Sequence, residues 1–367
     1  MPRVAGRAYR VALMLYVSDR VRLLRFLADR LASAPDAGHE HPIVSRSGVF
    51  FTSIAAFEHH FRVTEEEFVA LVDALRIPRV TVMGGCVFDG AELLALGMYR
   101  LHFPTTIEDM SAIFQCSAGR VSTGINTALN VLDAAFGCKL GQLPVGYLRS
   151  IASVAAERFV VRGSPNRKCI GALDGTLRRI ARPSLGGYTG IVQESTYSGM
   201  DKVHGLKYLC VTLPNGLIIM FGPKTGNTND STLLLQSGWS IQMAGDNMLR
   251  DYVFIVDRGF GYRNNLVVGP VRRPRLGDLT AEEKRWNKAL SRVRTSVEWS
   301  FGAVANSFQH LEMKRYQRVL ETPVALQYRA AVFLSNCRTC MRGGNVVSKY
   351  FGMPPPSLAE YLGLLNG

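Results

Sequence analysis

Apolar positions recur every three or four residues through roughly the first 150 positions and then give way to short, unbroken apolar runs, a change from helix to strand patterning partway along the chain. Thr64 followed by Glu67 reads as a reciprocal capping pair, with Phe68, Leu71, Val72 and Leu75 forming the apolar face of the helix it opens. A further helix is expected over about 91–101. The segment Thr105–Asp133 then reads as helix, short turn, helix: IEDMSAIF, QCSAG, RVSTGINTALNVLD. From Cys169 the pattern turns to strands. CIGALD is a short apolar strand, KYLCVT and LIIMF form a hairpin around Pro214-Asn215-Gly216, and YVFIVD is a buried strand. Thr280 with Glu283 opens a long helix whose stripe is Leu290, Val293, Val297, Phe301, Val304 and Phe308. Residues Val324–Met341 form the last long helix before Pro354-Pro355-Pro356 breaks the chain.

These patterns predict four parts: a basic N-terminal segment and linker over 1–47, a helical domain with a helix-turn-helix-like pair over 48–160, a strand-rich domain over 161–345, and a C-terminal extension over 346–367. Ser33–Ser47, rich in Pro, Gly, His and Ser, supplies the linker. The first 31 residues share the Arg-rich character of a mitochondrial transit peptide, while Val21, Leu24, Leu27 and Leu31 fit an ordinary amphipathic helix.

Composition narrows the function. Of 367 residues, 47% are hydrophobic and 20% charged, which describes a globular chain, and no apolar run approaches a membrane span. Seven thinly spread cysteines suit a reducing compartment. The 43 Lys and Arg exceed the 29 Asp and Glu, a formal charge of +14 that favours a polyanionic partner.

Three acids carry the candidate chemistry. Asp174 closes CIGALD and Asp257 closes YVFIVD, each where an apolar strand meets a glycine-bearing turn, the sheet edge at which open α/β folds place functional groups. Glu298 follows Val297 on the long helix and so lies on the flank of its buried stripe. Carboxylates converging from two strand ends and a packed helix make a hard oxygen site suited to Mg²⁺ or Mn²⁺, and a pair of such ions serves phosphodiester chemistry. Taken singly, each acid also fits a turn-holding or surface role. The basic surround adds weight: between Arg258 and Arg318 thirteen Lys or Arg face five Asp or Glu, and Lys288, Arg292 and Arg294 share the helix of Glu298.

The order GALDGT, YSGMDKVHGLKYLCVTLPNG, GNTNDSTLL, IVDRGF and NKALSRVRTSVEWSFGAV resembles the DDE endonuclease domain of PIF/Harbinger transposases and their domesticated relatives, over about residues 165–340. The resemblance implies an RNase H-like mixed sheet with flanking helices (α+β or α/β), preceded by an all-helical domain. It implies Asp174, Asp257 and Glu298 as catalytic and metal-binding triad for two Mg²⁺ or Mn²⁺ ions, with Asp230 in support. Leu334-Ser335-Asn336 resembles the family's closing Leu-His-Asn, with Ser in place of His. Arg258 stands where many relatives carry a small residue. Double-stranded DNA as substrate, a Myb-like DNA-binding partner, a homo-oligomer and a nuclear location also follow from the resemblance.

Arg120 and Asn126 on the second helix of the Thr105–Asp133 pair, Lys202, His204 and Lys207 on the hairpin, and Arg258, Lys288, Arg292 and Arg294 are the expected DNA contacts. The helix pair fits a plain packing unit equally well. Cys337 and Cys340 form a lone CxxC, read as buried thiols, and Gly222–Gly226 reads as a strand-exit turn. The expected function is a metal-dependent endonuclease or transposase. Its main rival is a domesticated, non-enzymatic DNA-binding protein that keeps the scaffold, and a third reading is a nuclease acting on RNA.

Overall fold

The computed structural model describes residues 54–77, 80–184, 189–260, 266–319 and 321–366. The basic segment and linker over 1–47 lie outside the described residues. The chain divides into two compact units: Met1–Cys138, Arg179–Ser195 and Ala305–Ala331 in one, Lys139–Arg178, Thr196–Val304 and Val332–Gly367 in the other.

The first unit is mostly helical. Helices α1 (Ile54–Phe61) and α2 (Glu65–Leu75) are followed by strands β1 (Val80–Met83) and β2 (Cys86–Asp89), then α3 (Gly90–His102), α4 (Ile107–Ile113) and α5 (Ala118–Leu132). The Thr64–Glu67 pair caps α2 reciprocally, as its spacing predicts. The antiparallel β1–β2 hairpin is an addition to the helical reading. Its turn places Gly84 and Gly85 at φ of 56° and 75°, the left-handed conformation that glycine adopts without a Cβ clash. A bidentate pair from Arg329 to Asp133, at 2.7 and 2.8 Å, ties the later segment of this unit to the end of α5.

The second unit begins with α6 (Val145–Val161) and β3 (Cys169–Arg179); after α7 (Thr189–Thr196), which belongs to the first unit up to Ser195, it continues with β4 (Tyr197–Ser198), β5 (Val203–Thr212) and β6 (Ile218–Thr225). Then come α8 (Asp230–Ser237), α9 (Trp239–Ala244), β7 (Val253–Ile255), β8 (Val267–Val268), the 27-residue α10 (Ala281–Ser307), α11 (Val324–Met341), which belongs to the first unit up to Ala331 and to the second from Val332, α12 (Val346–Phe351) and α13 (Leu358–Asn366). The strands form one six-stranded mixed sheet in which β4 and β6 both pair with β5 and the order continues β5-β3-β7-β8. β5 and β6 are the antiparallel hairpin expected around Gly216, which sits at φ 85°. β7 runs parallel to β3, and β8 parallel to β7. The mixed sheet with preceding helices is consistent with an RNase H-like DDE fold.

Two strands run further than expected. β3 continues past Asp174 to Arg179, so that acid lies within the strand rather than at its close. β6 continues through Gly222-Pro223-Lys224 to Thr225 instead of turning out of the sheet. The core joins sheet to helix: Leu290 and Val293 of α10 pack with Cys169, Ile255, Phe159, Val347 and Phe351. Asn336, buried on α11, accepts from the Ile218 amide at 2.9 Å and donates to its carbonyl at 2.8 Å, fixing the start of β6. Cys337 and Cys340 are buried free thiols, as expected. Among the described residues no helix is long and apolar enough to cross a membrane.

Candidate active site

The register of two parallel strands brings the first two acids together. Ala172 of β3 pairs with Ile255 of β7. Asp174 and Asp257 each lie two residues further on, Asp174 still within β3 and Asp257 just past the end of β7, so the two stand abreast on strands spaced about 4.8 Å apart. Both peptide runs are fully buried up to these acids: Cys169 to Leu173 on one, Phe254 to Val256 on the other. The acids therefore stand where an apolar sheet first meets solvent, and their side chains are fixed by backbone donors. The Gly175 amide donates to Asp174 Oδ1 at 2.8 Å, and the Gly259 amide donates to Asp257 Oδ1 at 2.8 Å.

Asp230 joins from the first turn of α8, whose N-cap Asn229 accepts from the Thr232 amide at 2.7 Å. It can approach because residue 175 is glycine: a Cβ there would fall inside contact distance of Asp230 Oδ1. Ser231 donates to the Gly259 carbonyl at 3.3 Å, connecting α8 to the turn after Asp257.

Glu298 is delivered by α10. Thr280 and Glu283 cap this helix reciprocally, and Leu290, Val293, Val297 and Val304 are buried along it, whereas Phe301 is only partly so. Glu298 lies beside that stripe with half its side chain exposed. One turn earlier, Arg294 donates to Asp174 Oδ2 at 3.0 Å and to Glu298 Oε1 at 2.6 Å. A single guanidinium thus spans the two acids and keeps the bonded oxygens within roughly 8 Å of each other.

The electrostatics follow from this crowding. Burial pushes the Asp174 carboxyl up to about 6; Asp257 and Asp230 add to the rise, while Arg294 and the Gly175 amide oppose it. Lys207, on β5, is buried and meets Asp230 Oδ1 at 2.8 Å. The donor set is all carboxylate, the chemistry that hard divalent cations select. A carboxylate pair whose charges oppose each other in a half-buried notch is also a natural cation site. Asp174 and Asp257 have the chemistry such an ion selects. Among the described residues no three acids or imidazoles already meet as a chelating group, and between Asp174 and Glu298 the guanidinium intervenes.

Five of the residues expected to contact DNA have partners within the chain. Lys207 and Arg294 neutralise the acidic cluster. Arg120 donates to Glu92 at 2.8–3.0 Å and to the Val87 carbonyl at 2.7 Å, and it lies 4.6 Å over the Phe88 ring, so it braces α5 against α3 and β2. Asn126 turns back to the Ser122 carbonyl at 2.9 Å. His204 shares a hydrogen bond with Thr196 at 3.1 Å and stacks edge-on against Tyr197. Lys202, Arg258, Lys288 and Arg292 are exposed. The Arg258 carbonyl is held by Arg272 at 3.0 Å, which leaves its side chain facing solvent.

Two roles went unread in the sequence. The four-residue step from Arg294 to Glu298 is the ordinary spacing of a helical ion pair and could have been found. The Lys207–Asp230 pair joins a strand to a later helix, and no spacing rule encodes it.

No curated protein and no solved structure matches the chain. Residues 173–336, which hold Asp174, Asp230, Asp257 and Glu298, match the family model described as DDE superfamily endonuclease, and this part of the chain is similar to the nuclease domain of transposase-like enzymes.

Proposed function

We propose that the protein is a divalent-metal-dependent DNA endonuclease or transposase of the PIF/Harbinger kind, with Asp174, Asp257 and Glu298 as its metal-binding triad. The observation that supports this reading most is the β3–β7 register, which sets two carboxylates abreast. Two Mg²⁺ or Mn²⁺ ions held there would supply Lewis-acid polarisation of the scissile phosphate and offset its charge. The chain's own residues do the rest. Gly175 and Gly259 amides aim the two aspartates, and Lys207 fixes Asp230 behind them. Exposed Arg258, next to Asp257 in the chain, and exposed Lys202, Lys288 and Arg292 would offer phosphate contacts. Strand transfer by the released 3′-hydroxyl, a Myb-like partner, a homo-oligomer and a nuclear location belong to the same proposal.

The bridging position of Arg294 favours a second reading, a domesticated DNA-binding protein in which the guanidinium has taken over the cation's place for good. Nicking of supercoiled DNA separates the two. The wild-type chain is expected to nick with Mg²⁺ and not with EDTA, and Asp257→Ala to lose at least about 100-fold of that rate. Equal rates in both proteins would exclude the catalytic reading.

A further inference from the structure

Resting on the nuclease reading above, we propose that the Arg294 guanidinium is a built-in competitor for the divalent cation: it occupies the gap between Asp174 and Glu298, and an ion shared by those two acids must displace it. Asp257 and Asp230 both act electrostatically on Asp174, Arg294 links Asp174 to Glu298, and two cationic side chains are thus paired with these acids, Lys207 with Asp230 and Arg294 with Asp174 and Glu298. The two cations are held differently. Lys207 rises from a strand, and its pair with Asp230 is 8% and 17% exposed, so it is a fixed charge. Arg294 reaches sideways from a helix flank, and one of its two partners, Glu298, is half in water. An exposed helical ion pair of this spacing is weak and opens readily.

A divalent ion brings twice the charge at a shorter ligand distance, about 2.0–2.1 Å for Mg²⁺, so it competes directly with the guanidinium for the same oxygens. Removing the Arg294 charge therefore has two opposite consequences. Asp174, only 18% exposed, loses its paired cation and the fold loses stability. The incoming ion loses both a rival and a repelling charge, and binds more tightly. A purely structural arginine would produce the first effect without the second.

The test is Mn²⁺ binding by the full chain, read from the paramagnetic resonance signal of free Mn²⁺, with thermal unfolding in EDTA and in Mn²⁺ alongside. Arg294→Met is expected to bind Mn²⁺ about tenfold tighter than wild type, the gain from removing one strongly felt like charge. Its unfolding midpoint should fall in EDTA and rise more than the wild type's on adding Mn²⁺; Arg294→Lys should be intermediate. Equal or weaker Mn²⁺ binding by Arg294→Met would overturn the inference. If Arg294→Met is unfolded in EDTA, the Mn²⁺ concentration that refolds it gives the same comparison, and a failure to refold, with no tightening in Arg294→Lys, counts against the proposal. Asp257→Asn separates the two layers. Wild-type uptake that vanishes in Asp257→Asn, without tightening in Arg294→Met, sinks only this inference. No uptake by the wild type sinks the metal reading and this inference with it.

Discussion

Lys207 and Arg294 illustrate how burial reverses the meaning of a basic residue. Both sit in basic stretches that suggest phosphate, yet each faces a carboxylate at 2.8–3.0 Å, because a half-buried charge is costly unless paired. The sequence showed where the two apolar runs end: Asp257 follows β7 as read, whereas β3 carries on past Asp174 to Arg179, so the Asp-Gly there is no strand end. The partners of the acids were not legible, since the Lys207–Asp230 contact depends on how α8 returns across β5. At this scale we expect Lys207→Met to leave Asp230 unpaired and lower stability by about 2–3 kcal/mol, below the full cost of a wholly buried pair because both groups keep some solvent. Urea unfolding measures it; a loss under about 0.5 kcal/mol would mean that the pair holds nothing.

At the scale of elements, several patterns with a local cause were read correctly, though the turn expected at Gly222–Gly226 proved to be a continuation of β6. The capping pairs at Thr64 and Thr280, the Pro-Asn-Gly hairpin and the stripe on α10 each follow from a few neighbouring residues. The β1–β2 hairpin was passed over because its strands are only four residues each, although Gly84-Gly85 is itself a turn signal. Two glycines give opposite predictions. Gly85 stands at φ 75° with open space around it, so Gly85→Ala should cost about 1 kcal/mol from backbone strain alone. Gly302 lies within α10 with nothing near its missing Cβ, so Gly302→Ala should add about 0.5–1 kcal/mol by helix propensity. Chemical denaturation of the two variants checks both signs.

For the whole molecule, the sequence conveyed a mixed sheet carrying an acidic notch in a basic chain, while the long-range interlocking escaped it. His310 is one such hidden part. It is fully buried in the first unit, stacked on Tyr316, and neither ring nitrogen has a partner among the described residues. Burial pushes its pKa down to about 3, and Arg100 adds to the fall. The unfolded chain therefore binds a proton that the folded one refuses, so this contribution is intact above about pH 6.5 and is lost as pH falls toward 3, at up to about 1.4 kcal/mol per pH unit. His310→Phe should flatten that acid limb in a pH series of thermal melts; an unchanged slope would show that other groups govern it. The account as a whole rests on the acidic notch taking up divalent ions. The most direct measurement is anomalous diffraction from crystals soaked in Mn²⁺. The account predicts Mn²⁺ bound to Asp174 and Asp257, with Glu298 turned inward and Arg294 withdrawn; crystals without Mn²⁺ at these acids, and with the guanidinium still spanning Asp174 and Glu298, would contradict it.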